Sequence, residues 1–412
     1  MTAADAAMPV AGTTPLALSN RKFGWAAFAW APLMYGLFFT ALRPLNEGPY
    51  LLAVAFAILA CFAVGRLVLL PGQLWFILLS VAYLILSLFH VLPTAWTIYH
   101  DNAAAIRHWS WVIVMPILVT AFYAFSMRYR DWITKHALKL FLVAFAMRSL
   151  SQQTSPGFDF YDGIFLGRFG LYSPDNETLP LIMLLIIAAN RGNQMRAYQV
   201  AILALVIPAA TSAGTFLAAL VSFGLRFIRA RRIALYGLLF FLLMFLFLAP
   251  FYYRELDSVD VNSGVRALFW RDAQLAVWQT RGVGVGYGTE YITNWFGDLG
   301  RAFDYALTAE DASDRLFISN HSTYYDVALR LGLVGVGLFI TMISSTVRAA
   351  KSPTAAPMCA YLIVSTGVVP GLTAVDTQIG ICLLIGWILA DRDAHREVDG
   401  LEASPNFSTP AR

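Results

Sequence analysis

The chain has 412 residues, of which 58% are apolar and only 13% carry a charge. A soluble domain has about twice that share of charged residues, so the composition indicates a membrane protein that crosses the bilayer many times. The three cysteines, Cys61, Cys359 and Cys382, all lie in apolar runs, which argues against a disulfide framework. The net charge of +4 is modest, and its basic residues fall in short connections, a pattern typical of membrane topology and not of nucleic-acid binding.

Runs of about 20 apolar residues, the length that a helix needs to cross a bilayer, divide the chain into about twelve predicted spans. The predicted fold class is therefore an all-α polytopic membrane protein. The two spans between residues 196 and 228 can also be one long helix that Pro208, Ser212 and Gly214 interrupt. The predicted spans are residues 23–42, 49–65, 69–89, 106–127, 134–152, 178–190, 196–211, 213–228, 233–252, 322–346, 355–374 and 376–390.

The basic residues give an independent prediction of topology. They cluster in every second connection, whereas the short connections between those clusters are poor in Lys and Arg. Because basic loops stay in the cytoplasm, this alternation puts both termini there and requires an even number of spans. The clusters are Arg21 and Lys22, Arg66, Arg128 with Arg130, Lys135 and Lys139, Arg191 and Arg196, Arg226 with Arg229, Arg231 and Arg232, Arg348 and Lys351, and Arg392 and Arg396.

Both ends of the chain are polar. Residues 1–22 contain no small-residue cleavage site after a short apolar stretch, so we expect a cytoplasmic segment followed by an uncleaved first span. Residues 391–412 are polar and contain two prolines, which predicts a disordered cytoplasmic tail. The carboxylates at its start, Asp391 and Asp393, are predicted to be solvated charge. The transmembrane domain then covers residues 23–390.

The largest predicted loop, residues 253–321, lies on the periplasmic side of this topology. A loop of this length is usually functional or disordered, and its tryptophans argue against disorder. Residues 267–279 within it have helical periodicity, with Leu275 and Trp278 on one side and Arg271 available on the other. We therefore expect at least one helix in the loop, carrying an arginine toward solvent or a ligand.

Four glycines alternate in the next stretch, R-G-V-G-V-G-Y-G at residues 281–288. The run lacks the Lys-Ser/Thr ending and the helix start of a Walker-type phosphate loop. We predict that these glycines let the backbone turn tightly or approach a ligand closely.

His321 lies where this polar loop meets the next apolar run, and it is the only histidine in the second half of the chain besides His395. Histidine is the one side chain in this region that can move a proton near neutral pH, which makes His321 a candidate general base. An ionisable group at a membrane edge is also a functional candidate in its own right. The alternative is a helix N-terminus, with Ser322 as the N-cap and His321 as a passive neighbour.

The sequence around His321 resembles the motif of the bacterial O-antigen ligases, H-[NSQ]-x9-G-x-x-[GTY]. His321 and Ser322 are followed after nine residues by Gly332 and after two more by Gly335, without a gap. The context is similar too, since a large arginine-rich loop directly precedes the motif. An acidic residue typically stands before the first glycine of the motif, where this chain has Leu331.

Two further stretches are similar to the wider superfamily of O-antigen ligases and polymerases. Arg266 and Gly282 are separated by fifteen residues, which resembles the R-x15-G pattern of the polymerases. Arg168 and Gly170 resemble an R-x-x-G stretch that is one residue longer, and Asn176 follows as the trailing asparagine. The resemblance covers the architecture of most of the chain.

This resemblance implies a glycosyltransferase of the GT-C class, helical throughout, at the periplasmic face of the bacterial inner membrane. The implied donor is a glycan on undecaprenyl pyrophosphate, and the implied acceptor is a sugar hydroxyl of lipid A–core or of another glycan. It implies no cofactor and no metal. Metal-dependent oligosaccharyltransferases need acidic residues in the first outer loop, where residues 43–48 offer only Glu47.

The residues implied by the resemblance suit this chemistry. A neutral histidine, His321, takes the proton of a sugar hydroxyl, which is a poor nucleophile. Arginines hold the pyrophosphate leaving group bidentately and stabilise its charge, for which we predict Arg266 first, Arg168 second and Arg271 in reserve. The other motif residues are predicted to belong to the substrate site, namely Ser322, Gly332 and Gly335.

Three other functions remain open at this point. The first is a polymerase of O-antigen or exopolysaccharide repeats, because no short motif encodes acceptor recognition. The second is a transporter of lipid-linked sugars, although the two halves of the chain show no internal repeat and the polar residues concentrate in outer loops. The third is a structural membrane scaffold, which leaves a histidine beside an arginine-rich loop unexplained. Membrane lipids are expected partners in each case, and nucleic acid is not.

Overall fold

The structure is a computed structural model that describes residues 22–42, 47–92, 97–100, 102–153, 179–189, 213–259, 261–292, 316–317, 321–368 and 375–402. Within these residues the chain is mostly helical. The helices are α1 Trp30–Leu42, α2 Glu47–Cys61, α3 Gln73–Leu88, α4 Asn102–Gln153, α5 Leu179–Ala189, α6 Ala213–Gly224, α7 Arg231–Leu248, α8 Tyr253–Val259, α9 Val261–Gln279, α10 Thr323–Ala349, α11 Ala355–Val368 and α12 Val375–Glu402. Three 3₁₀ segments adjoin them, at Lys22–Ala29, Leu225–Phe227 and Ala249–Tyr252.

Among the described residues, three helical stretches are long and apolar enough to span a membrane, namely Asn102–Met147, Arg231–Leu256 and Thr323–Ala349. Shorter apolar helices cover Pro49–Cys61, Gln73–Leu88, Leu179–Ala188 and Ala355–Val368. These helices agree with a helical membrane protein. The count of twelve spans stays a prediction, and the predicted span at 196–211 lies outside the described residues.

A small antiparallel sheet was not expected from the sequence. Its strands are β1 Thr97–His100, β2 Thr289–Ile292 and β3 Leu316–Phe317, in the order β1-β2-β3. Tyr291 of β2 faces Thr97 on one side and Phe317 on the other. Threonine, isoleucine and tyrosine favour strands, but segments of two to four residues are too short to show a period of two. The sheet joins the connection after α3 to the large loop.

The two predicted spans at 106–127 and 134–152 form one continuous helix of 52 residues, α4. The predicted break between them is wrong because the basic sequence R-Y-R-D-W-I-T-K at 128–135 contains neither Gly nor Pro and does not end a helix. If straight, the helix measures about 78 Å, more than twice the hydrocarbon thickness of a bilayer. Its second half still buries a stripe of residues one turn apart, Ile133, Ala137, Phe141 and Ala144.

The core of the bundle lies where α4 packs against α12. The thiol of Cys382 lies 3.7 Å from the carbonyl oxygen of Met115, and a methyl group at Gly386 would meet Phe122. Because the contacts advance together along both helices, α12 runs parallel to the first half of α4. The topology predicted from the basic residues gives these two segments the same relative direction.

The predicted tail begins as a helix, since α12 continues to Glu402. The prediction that Asp391 is solvated charge is also wrong. Its side chain is only 1% exposed and pairs with the guanidinium of Arg130, while Asp393 accepts a hydrogen bond from the Tyr123 hydroxyl at 3.0 Å. A sequence of alternating charges looks solvated by itself, and only the approach of α4 supplies these partners.

Candidate active site

His321 stands immediately before α10, and its backbone adopts the left-handed conformation with φ of 50°. Such a conformation is uncommon for a residue other than glycine and often marks a functional site. The next residue, Ser322, is buried and extended, and its carbonyl oxygen accepts the Asp326 N–H at 2.9 Å. Ser322 is thus the N-cap residue, as the alternative reading of the sequence predicts, but its hydroxyl makes no capping hydrogen bond.

Stacked rings fix His321 to helix α9. The exposed imidazole lies over buried Phe269, with ring centroids 5.8 Å apart and an angle of 20° between the planes. One residue further along α9, Trp270 stacks on Tyr325, which is four residues after His321, at 5.7 Å and 11°. Two neighbouring aromatic pairs therefore set the position of the α10 N-terminus relative to α9.

Arg266 belongs to the same face of α9. It is half-buried and lies one helical turn before Phe269, the ring on which His321 stacks. Residues three apart on a helix are neighbours, so the fold brings the predicted base and the first predicted pyrophosphate ligand to one locality. The second predicted ligand, Arg168, lies outside the described residues.

Arg271 lies on a different side of α9 from Arg266. Its guanidinium carbon lies 5.0 Å from the centre of the Tyr253 ring, a cation–π contact. It lines a cleft of about 1090 Å³ between α7, α9 and α10, which we call the lateral cleft. The wall is mostly apolar and aromatic, and it consists of Leu243, Leu246, Phe247, Pro250, Phe251, Arg271, Gln274, Leu275, Val277, Trp278, Arg281, Gly282, Tyr324, Tyr325, Ala328, Leu333 and Val336.

The glycine run packs against a break in α10, which confirms the prediction of a tight turn. All four glycines of residues 281–288 have positive φ, between 76° and 86°. Gly332 breaks α10 with φ of 65° and ψ of −164°, and a methyl group there would overlap the carbonyl oxygens of Gly282 and Val283. Both segments need glycine because two backbones touch at this point.

Hydrogen bonds close this junction. The N–H of Val285 donates to the carbonyl oxygen of Leu329 at 2.7 Å, and the N–H of Leu333 donates to that of Gly282 at 2.9 Å. Carbonyls released by the helix break are thus satisfied by the glycine run. Gly335 is packed as tightly, since a methyl group there would overlap the side chain of Leu331. Gly332 and Gly335 of the motif therefore have a packing role, whatever their part in substrate binding.

A buried polar network behind the junction was missed by the sequence reasoning. Arg330 is 1% exposed, and its carbonyl oxygen accepts the Gly286 N–H at 3.1 Å. The hydroxyl of Tyr287 hydrogen bonds that of Ser80, and the Tyr287 N–H donates to Ser87 Oγ at 2.9 Å. Burial raises the pKa of Tyr287, which keeps the hydroxyl neutral. An arginine inside a predicted span was the sequence feature that could have revealed this network.

Metal ligands are not grouped in the described part of the chain, where no three His, Cys, Asp or Glu residues converge. The metal-free reaction stays a prediction. Comparison of the chain with protein-family models, with curated proteins and with solved structures found no match. His321, Arg266 and the lateral cleft are therefore the features of the fold that bear on its function.

Proposed function

We propose that this chain is a metal-independent membrane glycosyltransferase of the O-antigen ligase type. It would move a glycan from undecaprenyl pyrophosphate to a sugar hydroxyl of lipid A–core at the periplasmic face of the inner membrane. The observation that supports this most directly is the stacking of His321 on Phe269, one turn from Arg266. In this proposal His321 is the base and Arg266 is the cation that binds the phosphate, both at the periplasmic end of the helix bundle.

The reaction needs one general base and one cationic group that binds the pyrophosphate. The acceptor hydroxyl attacks the anomeric carbon of the donor sugar and gives its proton to the neutral imidazole of His321. The bond from the anomeric carbon to the pyrophosphate oxygen breaks, and its electron pair leaves with the lipid pyrophosphate. Arg266, half-buried beside the histidine, stabilises the charge that develops on this leaving group.

The left-handed backbone of His321 supports a positioning role for the local fold. A strained residue persists when its surroundings hold it, and here the N-cap position of Ser322 and the ring of Phe269 do so. The exposed imidazole is then presented to solvent and substrate at a fixed place. Such preorganisation is what a general base requires.

A reconstituted assay tests the proposal. Purified protein in liposomes receives a glycan on undecaprenyl pyrophosphate together with lipid A–core, with a second lipid-linked glycan, or with neither, each with and without EDTA. Transfer to lipid A–core that survives EDTA is the expected result. Transfer only to the second lipid-linked glycan would make the protein a polymerase, and no transfer to either acceptor would refute the proposal.

A further inference from the structure

Helices α7 and α10 run antiparallel, which brings two basic connections together at one end of the bundle. At one end of the pair, the hydroxyl of Tyr325 donates to the carbonyl oxygen of Leu246 at 2.6 Å. At the other end, the hydroxyl of Tyr236 donates to the carbonyl oxygen of Ser344 at 3.4 Å. The start of α7 therefore lies beside the end of α10, at the opposite end of α10 from His321.

Positive charge accumulates at this end of α7 and α10. Residues 178–254 contain no Asp or Glu, and neither do residues 327–375. Within the part of the chain that the structure describes, none of the cations of these two connections forms an ion pair. We call them the basic patch, and they are Arg229, Arg231, Arg232, Arg348 and Lys351.

The carboxylates of the neighbouring helices do not neutralise the patch. Asp391 and Asp393 of α12 already pair with Arg130 and Arg392. Asp131 of α4 is exposed and lies in the same pocket lining as Thr354, the residue before α11. One exposed carboxylate beside five cations leaves this surface electropositive.

Three cations of the patch lie where a helix disfavours them. Arg231 and Arg232 are the first two residues of α7, and Arg229 precedes its N-cap, Ala230. The N-terminus of a helix carries a partial positive charge, and here the first turn contains no acidic residue and the N-cap makes no side-chain hydrogen bond. Arg348, in contrast, lies in the last turn of α10, where a cation is favourable. Helix stability thus explains Arg348 but not the arginines of α7.

Arg231 is the most constrained of these arginines. Its side chain is half-buried, and its enclosed Nε has no hydrogen-bond partner among the described residues. A buried donor without a partner costs free energy, whereas the planar guanidinium group binds a phosphate through two parallel hydrogen bonds. An anion at the start of α7 would be stabilised by the arginines and by the helix N-terminus together.

Large apolar side chains lie between and beside these arginines. Phe227 is 85% exposed and Ile233 is 76% exposed, within the sequence L-R-F-I-R-A-R-R-I at 225–233. Basic and large apolar residues in one segment are typical of a surface that lies at the boundary of lipid headgroups and acyl chains. Because Arg231 also begins a stretch that can span the membrane, the patch lies at the level of the headgroups. This position favours a lipid over a soluble acidic partner.

We infer that the basic patch binds anionic phospholipids, with the phosphate at Arg229, Arg231 and Arg232 and with Phe227 and Ile233 against the acyl chains. In the predicted topology these are lipids of the cytoplasmic leaflet. The alternation of basic loops predicts orientation alone and does not require unpaired arginines at the positive end of α7. The inference is independent of the glycosyltransferase, because the patch and His321 lie at opposite ends of α10.

Lipid binding by the purified full-length protein tests this inference. Native mass spectrometry follows titrations with phosphatidylglycerol and with phosphatidylcholine of the same acyl chains, and heptaglutamate and inorganic phosphate serve as competitors. We expect phosphatidylglycerol to bind at least tenfold more tightly than phosphatidylcholine, and more weakly as salt is raised. Neither competitor should displace it at equal concentration. The melting temperature in detergent should rise when phosphatidylglycerol is added.

Substitutions in the patch should weaken this binding in proportion to the charge removed. Arg229→Gln, Arg231→Gln and Arg232→Gln should each weaken it about fivefold, and the triple variant about a hundredfold. The triple change to lysine keeps the charge and should remain within about tenfold of the wild type. The single variants retain two of the three arginines that direct membrane insertion, so they test the inference even if the triple variant fails to insert.

Matched controls separate the patch from general effects of the substitutions. Arg66→Gln removes an exposed arginine from the connection between α2 and α3 and should leave binding unchanged. Phe227→Ser should weaken binding at every salt concentration, whereas Phe62→Ser, at an exposed position after α2, should not. Equal affinity for the two phospholipids, displacement by heptaglutamate, or unchanged affinity in the arginine-to-glutamine variants overturns the inference.

Discussion

Two arginines of this chain lie in opposite electrostatic environments. Arg130, on α4, pairs with Asp391 of α12, whose carboxylate is almost entirely buried. Arg281, at the end of α9, lies in an apolar cleft and has no partner among the described residues. The first charge is neutralised inside the protein and ties two helices of the core together. The second is exposed and solvated.

The difference separates a charge that the fold requires from one that it does not require. A buried charge without its partner is costly, so a fold that keeps Arg130 and Asp391 must keep both. The side chain of Arg281 forms no ion pair with a described residue. Its backbone has a positive φ, which glycine would adopt more easily. Stability alone explains the pair at Arg130 but not the arginine at 281.

The largest effect is expected at the junction between the glycine run and α10, next to Arg281. Gly332→Ala would place a methyl group on the carbonyl oxygens of Gly282 and Val283, at a φ that alanine rarely adopts. The turn must then move away from α10, and we expect loss of the folded protein or of its cleft. Yield and melting temperature in detergent measure this.

Gly337→Ala is the matched control on the same helix. Nothing lies within 4 Å of the position of its added methyl group, and alanine favours a helix by about 1 kcal/mol over glycine. We expect unchanged or slightly higher stability. If Gly332→Ala and Gly337→Ala behave alike, the junction does not determine the shape of the cleft.

The next largest effect is expected at His321 and concerns turnover alone. His321→Ala should fold and still bind the lipid donor, because arginines hold the pyrophosphate. Its transfer rate should fall by about two to four orders of magnitude, the usual contribution of a general base. The wild-type rate should also fall as the pH drops into the range where histidine takes up a proton, and the variant should lack this acid limb.

His321→Gln separates proton transfer from positioning. Glutamine can hydrogen bond to the acceptor but cannot take its proton. A general base predicts that this variant is as slow as His321→Ala, measured as single-turnover transfer at saturating donor. If His321→Gln keeps most of the activity, the histidine only orients the acceptor.

The sequence predicts single helices and their apolar faces well, because these depend on local composition. The helix at 267–279 and the tight turn of the glycine run are confirmed by α9 and by the positive φ values. The apolar run that begins at residue 322, with Ser322 as a possible N-cap, also predicts that His321 stands at a helix start, as the structure confirms. These features need only neighbouring residues to be decided.

Features that depend on contacts between residues far apart in the chain could not be predicted from the sequence. The pairing of Asp391 with Arg130 needs α12 to approach α4, and no local pattern carries that information. Arg266 and Arg271 lie on different faces of α9. For this reason Arg266 is near His321, whereas Arg271 lines the cleft. The sequence R-G-V-G-V-G-Y-G at 281–288 predicts a backbone conformation and carries no signal for the environment of the Arg281 side chain.

A smaller effect, on the free energy of unfolding, is expected from the pair of Arg130 and Asp391. Asp391→Asn leaves Arg130 without its carboxylate. Removing one partner of a fully buried pair lowers the free energy of unfolding by about 3–5 kcal/mol. The Arg130 side chain is 28% exposed, so water compensates part of this and we expect about 1–3 kcal/mol. Asp393→Asn is the control, because Asp393 and Arg392 are both partly exposed and such pairs contribute about 0–1 kcal/mol. Equal melting temperatures for the two variants would show that the buried pair is not structural.

The smallest effect has the opposite sign and tests the unpaired charge directly. Arg281→Gly removes a side chain that has no described partner and puts glycine at the left-handed position with φ of 53°. Because a residue with a Cβ is disfavoured there by about 1–2 kcal/mol, we expect the lipid-free variant to melt at a higher temperature than the wild type. Arg281→Gln, which keeps the strained backbone, should not gain this stability. A fall in the melting temperature of Arg281→Gly would mean that Arg281 supports the fold after all, and the contrast with Arg130 would disappear.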